Sequence, residues 1–151
     1  MDSPHSNLLR RGRFSEPGRP YLITAVTHHR TPLFKDFRLA RLVIRELRRT
    51  DQSGACRSLA WVVMPDHIHW LFELGDSTLA SLMCQFKSRT SCALYKACSH
   101  QGAIWQPGYH DRALRKEEDL RRTARYIIAN PIRAGLAEHV GHYPHWDCAW
   151  L

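Results

Sequence analysis

The segment Arg57–Leu74, RSLAWVVMPDHIHWLFEL, leaves its backbone little choice. Two runs rich in β-branched and aromatic residues, Arg57–Met64 and His67–Leu74, flank the dipeptide Pro65-Asp66. Pro and Asp between two such runs mark a tight reversal, so the segment is expected to form an antiparallel hairpin. Along its second strand, alternation puts Ile68, Trp70, Phe72 and Leu74 on one face, and His67, His69, Leu71 and Glu73 on the other. The two imidazoles then point the same way, one repeat apart, which suits joint coordination of one ion. The histidine count adds nothing to this. With 10 His in 151 residues, chance alone gives about 0.65 pairs at i, i+2, and one is present.

The rest of the chain supplies elements around the hairpin. Tyr21–Thr27 is short and β-rich and reads as a strand. Asp36–Arg49 carries Leu39, Leu42, Val43 and Leu47 at helical spacing with arginines on the remaining face, an amphipathic helix. A second helix is expected from Ser77 to about Ser99, burying Leu79, Leu82, Met83, Phe86, Cys92, Ala93 and Leu94 and turning Lys87, Arg89 and Lys96 outward. After breaks at Gly102 and Pro107, Tyr109–Leu114 can form a strand. Glu117, Glu118 and Asp119 open a third helix, where acidic residues suit the positive end of the dipole, and Pro131 ends or kinks it. The remainder, Ile132–Leu151, has Gly and Pro breaks and aromatic anchors at Tyr143, Trp146 and Trp150, and is expected to pack back on the domain. No internal repeat is present. The order strand, helix, hairpin, helix, strand, helix predicts an α+β domain whose antiparallel sheet is of the split βαβ, ferredoxin-like kind, flanked by helices. Residues 1–19 read as a flexible basic arm and 20–151 as a single domain.

Charge narrows the class of partner. The formal charge of +8 and sequence pI of about 9.7 suggest a polyanion, most simply nucleic acid. The five cysteines are odd in number and form no CxxC pair, which argues against a disulfide framework or a zinc ribbon. The longest apolar runs are far too short to cross a membrane, and the N-terminus is not a signal peptide, so the chain reads as cytoplasmic.

The third helix carries a second candidate. Leu120, Thr123, Ala124, Ile127 and Ile128 form one continuous buried face. Tyr126 points about 130° away from the centre of that stripe, with Arg122 and Asn130, four residues to either side, on its flank. A tyrosine so placed is either a reactive group or a surface ring lying beside an arginine.

Together, VVMPDHIHWLFEL and RRTARYIIANPIRAGL closely resemble the single-tyrosine HUH transposases of the insertion-sequence type, and within them the REP-associated tyrosine transposases. GRFSEPGRPYLITAVTHHR, FKSRTS, IWQPGYHDRALRKEEDL and YPHWDCAWL extend the resemblance in order over nearly the whole chain. It implies a split βαβ sheet with His67 and His69 as metal ligands on a central strand, Tyr126 as nucleophile, and a third ligand at Asn130. Because Asn130 precedes Pro131, it is pushed away from helical geometry. The resemblance further implies Mg²⁺ or Mn²⁺, manganese being the better match to imidazole. The substrate would be single-stranded DNA with a hairpin or palindromic repeat, cut to leave a 5′-phosphotyrosine, by a monomer or homodimer. Arg10, Arg11 and Arg13 in the arm, Lys87 and Arg89 on the second helix, and Arg122 are candidate DNA contacts.

Of His110 and Asp111, which alternate, at most one can face the site; Asp111 is held as a candidate. His139, His142 and His145 cross Gly141 and Pro144, which break any helix that would align them, so they read as structural or surface residues. Two rival readings stay open: a non-catalytic nucleic-acid-binding domain, and a metal-dependent nuclease in which water attacks.

Overall fold

The Pro65-Asp66 reversal joins two strands, β2 (Cys56–Met64) and β3 (His67–Leu74), with Met64 opposite His67. Two-residue hairpin loops favour residues with positive φ, yet neither Pro65 nor Asp66 has one. The turn is held from outside instead. Thr27 donates its N–H (2.9 Å) and its hydroxyl (3.0 Å) to the Asp66 carbonyl, and the Phe34 N–H donates to the Pro65 carbonyl at 2.9 Å. The computed structural model describes residues 18–115 and 117–150. The arm expected over residues 1–19, with Arg10, Arg11 and Arg13, lies almost wholly outside the described residues.

Around the hairpin the elements are β1 (Pro20–Val26), α1 (Phe37–Gln52), α2 (Leu79–Ala97), β4 (His110–Ala113), α3 (Glu117–Ile128), a short α4 (Asn130–Arg133) and β5 (Trp146–Cys148). The sheet runs β4-β1-β3-β2-β5 with every neighbouring pair antiparallel. Strands β1 and β2 therefore run in the same direction with β3 between them, which is the split βαβ arrangement expected. The edge strand β5 was not foreseen. At three residues it is too short to present a period, and it exists because the tail finds the free edge of β2.

Alternation assigns each sheet face its own layer. Ile23, Ala25, Trp61, Val63, Ile68, Trp70 and Phe72 face α1 and α2, meeting Val43, Ile44, Leu47, Leu82, Met83 and Phe86. Val62, Met64 and Leu71 face the opposite way, against Ala124, Ile127 and Ile128 of α3 and the tail's Tyr143, Trp146 and Trp150. Side chains buried this fully contribute about 1.5–3 kcal/mol each, so both faces are firmly determined. Asp36 and Thr78 cap α1 and α2, each accepting a backbone N–H from its third residue onward.

The stripe expected for α2 needs one correction: Cys92 is exposed and Ala93 only partly buried. The row from Phe86 continues by steps of four through Thr90 and Leu94. Thr90 fits the core because its hydroxyl donates to the Phe86 carbonyl and accepts from the Trp105 indole, each at 2.9 Å. No helix among the described residues is long and apolar enough to cross a membrane.

Candidate active site

The face of β3 that α3 covers carries His67 and His69. In the register, His67 lies between Val26 and Met64, and His69 between Thr24 and Val62. The ring centroids are 4.8 Å apart with planes at 77°. Each ring is fixed by a neighbour on the same nitrogen. His67 Nδ1 lies 2.7 Å from Asp66 Oδ1, and His69 Nδ1 lies 2.9 Å from Thr24 Oγ1. When Nδ1–H is donated to those oxygens, Nε2 is the remaining lone-pair position on both rings, the tautomer a metal ligand needs.

Electrostatics agree for His69. Burial, then the charges of His67 and Arg133, pushes its pKa down to about 4, so the ring is neutral at pH 7. Asp66 is held below the usual carboxylate range. Burial would raise it, but hydrogen bonds from His67 and Arg30 and their charges outweigh that. Arg30 Nη1 reaches Asp66 Oδ2 at 3.0 Å from a turn in which His29 and Arg30 have positive φ of 56° and 52°. Such backbone is costly for residues with a Cβ and is kept where surrounding contacts impose it.

Asn130 is brought to the pair, its Nδ2 3.5 Å from His67 Nε2. The proline conflict is resolved by a break rather than by distortion of Asn130. Helix α3 stops at Ile128, Ala129 caps a new short helix, and Pro131 sits in its first turn, where the missing N–H costs nothing. Tyr126 stands off the buried face as the helical wheel requires, 63% exposed. The guanidinium of Arg133 lies 3.8 Å from its ring centroid.

Other candidates fall elsewhere. Lys87 and Arg89 are on α2, across the sheet from the histidines. Arg89 is exposed, while Lys87 donates its ammonium to the backbone carbonyls of Gln106 (2.9 Å) and Gly108. Arg122 is exposed and pairs with Glu118 at 3.9 Å. Strand register puts His110 opposite Thr24, on the histidine face, and Asp111 opposite Ile23, on the other. Of those two it is therefore His110, not Asp111, that shares the site's side. His145 is buried, with His139 and His142 exposed, and none belongs to a cluster of three or more His, Cys, Asp or Glu among the described residues.

Sequence reasoning missed Asp66, Thr24 and Arg133. Asp66 was legible, being adjacent to His67 in the quoted motif, but it was read only as a turn residue. Thr24 and Arg133 have no local signal, since their roles come from strand register and from the helix break.

Two imidazole nitrogens with committed Nδ1 positions and a nearby amide form a donor set of nitrogen and oxygen without a thiolate. It fits a divalent ion such as Mn²⁺ or Mg²⁺ with coordination positions left for water or substrate. For the amide oxygen to serve, the Asn130 side chain would turn its Oδ1 toward the ion.

Comparison with known proteins follows the same lines. The profile of the IS200-like transposases matches residues 19–130. A REP-associated tyrosine transposase of Escherichia coli is 33% identical over 87 residues, which are 56% of this chain and 50% of that protein. The chain thus spans about half the length of that relative. A provisionally named REP-associated tyrosine transposase of Haemophilus influenzae is 26% identical over 144 residues, 85% of this chain and 78% of its own. Among solved structures, a REP-associated tyrosine transposase bound to a REP hairpin shares the fold. Its TM-score is 0.75 at 24% identity, over 89% of this chain and 79% of that one.

Proposed function

This chain belongs to the IS200-like transposase family, and from that premise we propose that it cleaves and rejoins single-stranded DNA at hairpin sites through a covalent bond between Tyr126 and a 5′-phosphate. The observation that carries this reading is the convergence of His67, His69 and Asn130 on the sheet face crossed by the helix of an exposed tyrosine. The hairpin as substrate is carried over from the relative solved with one, and the charge of +8 suits a phosphate backbone.

His67 and His69 would hold a divalent ion, with Asn130 as third ligand. Such an ion would supply Lewis-acid stabilisation of the negative charge on the scissile phosphate. Asp66 and Thr24 hold the two rings through Nδ1, which would leave each Nε2 lone pair for the ion. A neutral phenol is a weak nucleophile, so Tyr126 would need a phosphate whose charge is already offset. Its Oη bonds to phosphorus as the bond to the 3′-oxygen breaks. The phenolic proton leaves to solvent, and the 3′-oxygen takes one up to become a hydroxyl. Because the new bond is also a phosphodiester, a second 3′-hydroxyl can reverse the step and join new ends.

The test uses a single-stranded hairpin labelled at both ends, with Mn²⁺, and a denaturing gel that retains protein–DNA adducts. Adduct on the 5′-phosphate side, lost in Tyr126→Phe and under EDTA, is the expected result. Cleavage surviving Tyr126→Phe without an adduct would mean attack by water. Tight binding with no cleavage on any hairpin would mean a binding domain.

A further inference from the structure

Tyr126 and Arg133 are seven residues apart, about 10.5 Å of axial rise on a straight helix, beyond the i, i+4 spacing at which helical side chains are ordinary neighbours. The break at Ala129 and Pro131 shortens this path. It folds Arg133 back so that its Nη2 donates to the Tyr126 carbonyl at 2.6 Å and its guanidinium lies 3.8 Å from the ring centroid. Among the described residues no carboxylate pairs with Arg133, and the side chain is exposed. Its charge is thus open to an anion. One cation therefore lies against both the backbone and the ring of Tyr126.

We propose that Arg133 is the positioning residue of the nucleophile: its stacked guanidinium holds the Tyr126 ring for attack and sets a fixed positive charge where the scissile phosphate enters. The inference rests on the tyrosine-transfer reading above. A tyrosine as exposed as Tyr126 would otherwise sample several rotamers, of which few can place Oη in line with the bond to be broken. As that bond breaks and the bond to Oη forms, negative charge builds on the phosphoryl oxygens, and a fixed cation beside them favours this state over the ground state. A lysine would supply the charge without the planar stacking face.

The experiment measures single-turnover adduct formation at saturating hairpin DNA with Mn²⁺, and DNA affinity by anisotropy, for wild type, Arg133→Ala and Arg133→Lys. Arg133→Ala is measured again with millimolar guanidinium chloride added. Loss of one such cation should slow adduct formation about 100-fold, with affinity changed less than about threefold. Arg133→Lys should recover only part of the rate, and added guanidinium should speed Arg133→Ala, which a misfolded chain would not permit. An Arg133→Ala rate close to that of an active wild type would overturn the proposal alone. So would a loss confined to affinity, which would make Arg133 an ordinary phosphate contact. A wild type that forms no adduct would remove the tyrosine-transfer reading itself.

Discussion

Lowering the pH from 7 to 5 in EDTA should cost the fold about 2 kcal/mol through His69 alone. The ring titrates near 6.5 when unfolded but near 4 when folded, chiefly because burial disfavours its charged form. Across this window the unfolded chain binds more protons than the folded one, so stability falls as pH falls. The loss starts below about 6.5 and levels off below about 4. At about 1.4 kcal/mol per pH unit, its ceiling is about 3 kcal/mol. His145, whose pKa is also lowered, by burial and then by Arg41, acts in the same direction. The informative comparison is therefore wild type against His69→Gln, each unfolded in urea at pH 5, 6 and 7. Wild type should lose about 2 kcal/mol more than the variant between pH 7 and 5, a difference of about 4–8 °C in Tm for a chain of this size. A variant with the same pH dependence as wild type would refute the reasoning. It would mean that His69 is not held neutral by the fold, and its standing as a ready metal ligand would fall with it.

Asp66→Asn should weaken Mn²⁺ binding, followed by the EPR signal of the free ion, about 10- to 100-fold while leaving DNA affinity unchanged. Ile127→Ala, removing a side chain 1% exposed on the buried face of the helix that carries Tyr126, should cost about 2–4 kcal/mol in urea unfolding. Gly75→Ala would put a Cβ 2.2 Å from the Gly54 carbonyl oxygen and 2.9 Å from Ala55 backbone atoms. Since backbone rather than a flexible side chain must yield, a loss of about 1–3 kcal/mol is expected, measurable as a fall in melting temperature.

Several of these expectations rest on local sequence pattern alone. The hairpin, the two-histidine face and the outward set of Tyr126 were all legible, because each is a local periodicity: two residues along a strand, 3.6 along a helix. The buried stripe of α2 was misread at Cys92 and Ala93 for the complementary reason. A threonine that satisfies its own hydroxyl looks polar in a sequence and behaves as core in a fold.

By itself, then, the sequence determined the order of elements, the pairing of His67 with His69, and the candidacy of Tyr126 and Asn130. Only the tertiary structure decided who supports them. Thr24 meets His69 through the register of β1 on β3, 45 residues away in sequence. His110 rather than Asp111 shares the site's face because of how β4 aligns with β1. Asn130 and Arg133 arrive together because Pro131 breaks one helix and begins another. Periodicity is a property of neighbours along the chain. Register and kinks are set by what packs across it, and those are the terms that bring Thr24 and Asn130 to the two histidines.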